Sequence, residues 1–114
     1  MERLALVGRL KEGSLERAHE LIRAGPAFDA KARGFTRFFI LISATEVIFV
    51  FEGHQVEWPV FGLEDTPWDW AVAERREEWR ALFDEPIRIA REAYSWDEES
   101  GRGVIGPALA PDNV

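Results

Sequence analysis

The feature that most constrains the fold is a pair of apolar runs in the middle of the chain. Residues 38–42 read Phe-Phe-Ile-Leu-Ile, and residues 47–51 read Val-Ile-Phe-Val-Phe. β-Branched and aromatic residues favour strands, and the short segment 43–46 between the runs is typical of a hairpin connection. A strand covered on one face alternates apolar and polar residues, whereas both of these runs are apolar at odd and even positions. The hairpin therefore needs a cover on each of its two faces.

The segments before and after the hairpin predict two helices and a first strand. Residues 4–10 place leucines on one face at period two, which is typical of a strand. Apolar residues then recur at helical spacing over residues 15–25, and Ser14 is placed to cap the first turn with its hydroxyl group. A second apolar helical face extends over residues 68–83 and ends before Pro86.

Residues 87–96 fit two patterns. Alternating side chains permit a strand, whereas Asp84 as a cap and Pro86 in the first turn permit a helix. We interpret the segment as a strand because the order strand, helix, strand, strand, helix, strand then forms a split βαβ pair. Residues 1–96 are thus predicted to form one α+β domain. The Gly- and Pro-rich residues 97–114 are predicted to form a tail that is mobile or packed on a partner.

The amino-acid composition limits which binding partners and which kinds of chemistry are compatible with this chain. The 114 residues carry 21 acidic and 14 basic side chains, a formal charge of −7 that argues against nucleic acid and anionic membranes. The absence of cysteine excludes disulfides and thiolate chemistry. Two histidines and no cysteine leave too few ligands for a structural zinc site, and no Gly-rich phosphate loop occurs, so we expect no metal and no cofactor. Neither a long apolar run nor a signal-peptide pattern occurs, so we expect a cytoplasmic protein.

The predicted order of elements resembles the dimeric α+β barrel superfamily, which has a ferredoxin-like βαββαβ fold. The resemblance covers residues 3–96 and is carried by the strand 4–10, the helix start at Gly13 and Ser14, the hairpin 38–51, the aromatic helix 68–83 and the last strand 86–96. It implies an antiparallel four-stranded sheet in the order 4-1-3-2, with both helices on one face. It also implies that the other face packs on the same face of a partner copy. We therefore expect a two-fold homodimer, which would cover both sides of the hairpin.

The resemblance leaves more than one function open, because fold alone does not choose a reaction. Members of the superfamily include quinone-forming and haem-degrading monooxygenases, sugar mutarotases, lactone isomerases and stress-response proteins. Our first hypothesis is a cofactor-independent monooxygenase or isomerase that acts on a small aromatic or cyclic molecule. The alternative is a non-catalytic homodimeric module for ligand binding or stress response.

Two residues are candidates for catalysis. His54 follows the hairpin and could act as a general base at a pocket mouth, since histidine titrates near neutral pH. Tyr94, the only tyrosine, could donate its phenol proton to a ligand oxygen. The structural alternatives are a solvated loop histidine and a tyrosine whose hydrogen bond serves only the fold.

Four further residues are candidates for ligand binding. Arg37 precedes an apolar strand and could bind an anionic substrate, or it could simply protect an edge strand. His19 lies at the margin of the apolar face of the first helix, where it could line a pocket, ligate haem or serve as a partly buried helix residue. Trp58 and Trp70 do not fit the apolar face of the second helix. They are candidates for pocket walls, a lid or the dimer rim.

Overall fold

The computed structural model describes residues 2–25, 29–32, 34–54, 56 and 76–109. Within these residues the chain is α+β, which confirms the predicted class. The elements in chain order are β1 (Glu2–Arg9), α1 (Leu15–Arg23), β2 (Arg37–Ile42), β3 (Glu46–Gly53), α2 (Arg76–Arg80), β4 (Arg88–Arg91), β5 (Tyr94–Trp96), β6 (Gly103–Ile105) and a 3₁₀ turn (Pro107–Leu109).

Four strands form one antiparallel sheet in the order β2-β3-β1-β4, which reads 4-1-3-2 from the opposite edge. β3 is central and pairs with β1 over eight residues, from Glu2 opposite Gly53 to Arg9 opposite Glu46. β2 pairs with the other edge of β3, and β4 pairs with the other edge of β1. Four antiparallel strands with two helices are compatible with a ferredoxin-like fold. β5 and β6 form a separate two-stranded sheet.

The core lies between the two helices and one side of the sheet, which we call the inner face. Alternate residues of β1 and β3 point into it, and Phe49 packs its ring edge-on against Trp79 of α2, with centroids 5.3 Å apart. Buried apolar side chains of the core come from the sheet, both helices and their flanking segments: Leu4, Leu6, Leu10, Ala18, Leu21, Phe35, Val47, Phe49, Phe51, Val56, Trp79 and Leu82.

Gly8 marks the closest approach of the α2 region to the sheet. It occupies an inner-face position of β1, and the ring of Phe83 lies where a Cβ atom would be. The same ring stacks on Trp79, with centroids 6.0 Å apart and planes 11° apart. Phe83 also forms an isolated bridge with Leu10. A side chain at position 8 would therefore displace an aromatic pair that is packed on the sheet.

α1 begins and ends where the sequence predicts. Gly25 follows it with φ 112°, a left-handed conformation that glycine favours after a helix. The predicted capping by the hydroxyl group of Ser14 is wrong, since its side chain makes no capping hydrogen bond. The backbone of Ser14 has φ −94° and ψ −4°, whereas a capping side chain is normally carried on extended backbone.

The segment 87–96, predicted as the last strand, forms two short strands with a break between them. β4 and β5 are separated by two residues, and β5 pairs with β6 rather than with the main sheet. After β6 the chain turns back: Gly106 and Ala108 donate their backbone N–H groups to the carbonyls of Ala93 and Glu92, at 2.9 and 3.0 Å. The boundary expected at residue 96 thus falls inside a hairpin that is bonded to the end of β4.

The second helix is described over a part of its predicted length. α2 occupies the C-terminal part of the segment 68–83, and residues 68–75 lie outside the described residues. Trp79 is buried as its helical spacing predicts. Neither described helix has the length and the apolar character needed to cross a membrane.

Candidate functional site on the outer sheet face

The outer face is the side of the sheet opposite to the helices. Because side chains alternate along a strand, residues in register on neighbouring strands line up in rows across this face. The pairing gives three rows. Each row is listed from β2 to β4. The ionic row is Arg37, Glu52, Arg3 and Glu92, which directly follows β4, and the first apolar row is Phe39, Val50, Ala5 and Ala90. The second apolar row is Leu41, Ile48 and Val7, and it ends at Arg88 on β4.

The ionic row is a chain of alternating charges. Arg3 donates from Nε to Glu52 at 2.9 Å and from Nη1 to Glu92 at 2.8 Å. The guanidinium of Arg37 approaches Glu52 at 3.9 Å. Glu52 is itself buried, and a buried carboxylate is tolerated only where charged partners compensate its lost hydration. The row therefore joins residues on the main-sheet strands and their continuation into one ion-pair network.

The first apolar row decreases in size across the sheet. Phe39 on β2 and Val50 on β3 face Ala5 on β1 and Ala90 on β4, in continuous register. The small side chains leave a depression over β1 and β4. The ring of Phe39 forms one side of this depression and carries the Arg37 guanidinium 4.5 Å above its centroid, a cation–π contact.

These residues line an open basin of about 610 Å³ on the outer face. Its floor is the first apolar row, one side is the ionic row, and Leu41 and Tyr94 contribute to the rest of the wall. Ligand sites in proteins are typically concave and largely apolar, with a few polar groups that orient the ligand. The basin has this composition, and it is open to solvent on the side facing away from the sheet.

The wall at Tyr94 belongs to the C-terminal hairpin, which we define as residues 94–105. Tyr94 is paired with Ile105, and Trp96 lies two residues along the same strand, so all three side chains share one side of the hairpin. They are 60%, 60% and 59% exposed in the order Tyr94, Ile105, Trp96. The phenol of Tyr94 lies over Gly103, where a Cβ atom would overlap it.

The basin brings together two of the six residues predicted for the site. Arg37 and Tyr94 are distant in sequence and both line it. His54 lies on an exposed bend after β3, and His19 is half-buried on α1, and neither is among the described residues that line the basin. Trp58 and Trp70 lie outside the described residues.

Sequence reasoning missed the remaining polar residues of the basin. Arg3, Glu52 and Glu92 belong to three separate segments, and nothing in their local spacing indicates that they meet. The available signal was weak: Arg3 and Glu52 are charged positions at the ends of otherwise apolar strands. Only the register of β1 against β3 places the two side by side, opposite each other in the pairing.

A second cleft, of about 420 Å³, lies between the end of α2 and the start of β4. Its described lining combines apolar and charged side chains: Arg80, Phe83, Asp84, Glu85, Pro86 and Ile87. None of the four predicted site residues that the structure describes lines it. In the part of the chain that the structure describes, no cluster of three or more histidine, aspartate or glutamate side chains has the arrangement of a metal site.

Comparison with known proteins adds no assignment. No family model, no curated protein and no solved structure matches this chain. The resemblance to the dimeric α+β barrel superfamily therefore stays a prediction, and the site is interpreted from its own geometry.

Proposed function

We propose that this protein is a homodimeric binding module for a small molecule, with its ligand site in the outer-face basin. The observation that carries the proposal is the basin itself, where Arg37 and Tyr94 line an apolar floor from opposite edges of the sheet. An apolar floor supplies affinity by removing ligand surface from water, and the two polar side chains supply orientation.

The composition of the basin favours binding over acid–base catalysis by histidine. His54 and His19 belong to other parts of the fold, so the group expected to act as the general base is not at this site. Tyr94 is the predicted catalytic residue that the basin does contain. The monooxygenase or isomerase activity stays a prediction, and it would have to work through that phenol.

A second copy of the chain is the partner that we propose for the outer face. Leu41 is 51% exposed there, and Phe39 and Ile48 are only half-buried. A contiguous apolar surface of this kind is typical of an interface. Two-fold symmetry would place the same apolar rows opposite each other, and each copy would close the basin of the other.

Ligand binding is tested by calorimetric titration with two flat aromatic probes, 2-naphthoate and its neutral analogue 2-naphthamide. We expect at least one to bind with a dissociation constant below about 1 mM, which corresponds to about −4 kcal/mol. Ala90→Leu fills the floor of the basin and should weaken binding by tenfold or more. The matched control is Ala24→Leu, at the exposed end of α1. Equal affinity in both variants, or no binding of either probe, would contradict the proposal.

The homodimer is tested by light scattering over a range of micromolar concentrations. Leu41→Lys places a charge on the exposed apolar surface of the proposed interface and should shift the protein towards the monomer. Ala24→Lys adds the same side chain at the exposed C-terminal end of α1, where a cation suits the helix dipole, and should leave the dimer intact. A wild-type protein that is monomeric at every concentration would rule out the dimer.

A further inference from the structure

We infer that the basin takes a flat apolar molecule that carries one negative charge, of the carboxylate type, and that Arg37 binds this group. The inference rests on the proposed function and specifies the class of ligand. It follows from the charge balance of the basin, the state of its arginines and the shape of its floor.

The charge balance of the basin differs from that of the chain. On the outer face Arg3 and Arg37 stand against Glu52 and Glu92, so the ionic row that lines the basin is formally neutral. The whole chain has a formal charge of −7. A neutral concavity in an acidic protein repels an anionic ligand less than the rest of the surface does.

Arg3 and Arg37 differ in how far their N–H groups are already engaged by carboxylates. Arg3 bridges Glu52 and Glu92 at 2.9 and 2.8 Å, so its charge is compensated within the ionic row. Arg37 approaches Glu52 only at 3.9 Å, and its side chain is 65% exposed. Since a guanidinium has five N–H donors, Arg37 keeps donors that can reach a ligand.

The position of Arg37 suits a planar carboxylate. Its guanidinium is held over the ring of Phe39 at 4.5 Å from the centroid, which restricts its motion before any ligand arrives. A guanidinium binds a carboxylate through two parallel hydrogen bonds, and a group that is already ordered loses less entropy on binding. The ligand body would then extend from Arg37 over the first apolar row.

The negative charges of the basin limit the ligand to a single charge. Glu52 is buried beside Arg37, and Glu92 lies at the other end of the ionic row. A dianion such as a phosphate monoester would bring two charges to a formally neutral row and be repelled by both carboxylates. A monoanion needs only the spare donors of Arg37 and leaves the ion pairs of Arg3 undisturbed.

The floor of the basin favours a flat ligand body. Ala5 and Ala90 are opposite each other on β1 and β4, and their methyl groups leave a shallow, level surface. Phe39 on β2 and Tyr94 beyond β4 line the basin from opposite edges of the sheet. Aromatic ligands pack well against aromatic rings, and the phenol of Tyr94 can donate to a second polar group.

The experiment compares three probes of one shape on the wild-type protein: 2-naphthoate, 2-naphthamide and 2-naphthyl phosphate. We expect 2-naphthoate to bind at least tenfold more tightly than the amide and than the phosphate at neutral pH. Arg37→Gln should weaken binding of 2-naphthoate by tenfold or more and leave the affinity for 2-naphthamide within twofold. Arg17→Gln removes an exposed, ion-paired arginine of α1 and serves as the matched control, with no change for any probe.

The outcomes separate the ligand class from the binding function. If the amide binds as tightly as the carboxylate, the basin is a binding site and the inferred anion is wrong. Tighter binding of the phosphate overturns the single-charge limit. Binding of none of the probes contradicts the proposed function itself. The comparison of probes on the wild-type chain decides the ligand class even if Arg37→Gln does not fold.

Discussion

The inner and outer faces of the sheet carry similar apolar side chains and differ in what covers them. Leu6 and Phe49 on the inner face are 0% and 1% exposed beneath the helices, whereas Leu41 on the outer face is 51% exposed. Both faces belong to the same strands and share one network of backbone hydrogen bonds. Alternation along a strand determines which residues share a face of the sheet. Whether that face is buried depends on what packs against it.

The two faces also use one end of the sheet for different purposes. On the inner face the ring of Phe51 contacts those of Phe35 and Phe38, at centroid distances of 5.1 and 5.2 Å. On the outer face the next residue along β3, Glu52, accepts the hydrogen bond from Arg3. One side of the strand end therefore stabilises the core, and the other side presents charges around the basin.

The largest effect should come from removing matched aromatic rings on the two faces. Phe49→Ala leaves a cavity beside Trp79 and should lower the free energy of unfolding by about 3–5 kcal/mol. Phe39→Ala on the half-buried outer face should cost about 1 kcal/mol in dilute solution. Urea denaturation at several protein concentrations measures both values. Equal losses at low concentration would contradict the difference in cover.

This pair of variants also tests the second copy. If a partner covers the outer face, the cost of Phe39→Ala rises with protein concentration, because association stabilises the folded state. Should Phe49→Ala fail to fold, Phe49→Leu provides a milder change at the same position, with an expected loss of about 1 kcal/mol.

A larger side chain should lower the stability of the protein on the inner face and change it little on the outer face. Gly8→Ala places a methyl group against the ring of Phe83 and should cost about 1–3 kcal/mol. Ala90→Val adds two methyl groups to an exposed strand position and should change stability by less than about 0.5 kcal/mol. Thermal unfolding followed by circular dichroism compares them. A neutral Gly8→Ala would mean that Phe83 can move away from the sheet.

The ionic row should contribute more than an ordinary surface ion pair. Glu52→Gln removes the charge that Arg3 and Arg37 share and should cost about 1 kcal/mol, because the carboxylate is buried. Glu78→Gln removes an exposed partner of Arg17 and should cost about 0.3 kcal/mol. The difference between the two urea midpoints is the measurement. It should vanish if the ionic row is as well solvated as the surface pair.

The smallest effect is expected at Ser14, at the start of the helix that covers the inner face. A capping hydroxyl usually contributes about 1 kcal/mol, and this one makes no capping hydrogen bond. Ser14→Ala should therefore change the unfolding free energy by less than about 0.3 kcal/mol, measured by chemical denaturation. A loss near 1 kcal/mol would mean that the hydroxyl group caps α1 in solution after all.

Much of the fold could be predicted from local patterns. The alternation of Leu4 and Leu6, the helical spacing around Ala18 and the apolar hairpin all predict elements that the structure contains, because each signal lies within one element. The break between β4 and β5 could not be predicted. Alternation continues through residues 92–93, and only the hydrogen bonds from Gly106 and Ala108 redirect the chain there.

The candidate site was less predictable than the fold. Arg37 and Tyr94 could be chosen by residue type, since a guanidinium can bind an anion and a phenol can donate a hydrogen bond. Both line one basin because β2, β3, β1 and β4 pair in that order, which no local pattern indicates. The chosen histidines lie elsewhere because residue type alone carries no information about which face or loop a side chain occupies.

The sequence by itself determined the first three strands, the first helix and a hairpin with two apolar sides, because periodicity is a property of neighbours along the chain. It also determined an acidic, cysteine-free chain. Only the tertiary structure decided the rows across the outer face. Arg3 and Glu92 are 89 positions apart and bond at 2.8 Å, because β4 pairs with the free edge of β1. Strand register is the sum of many weak contacts between distant segments, and no single segment encodes it.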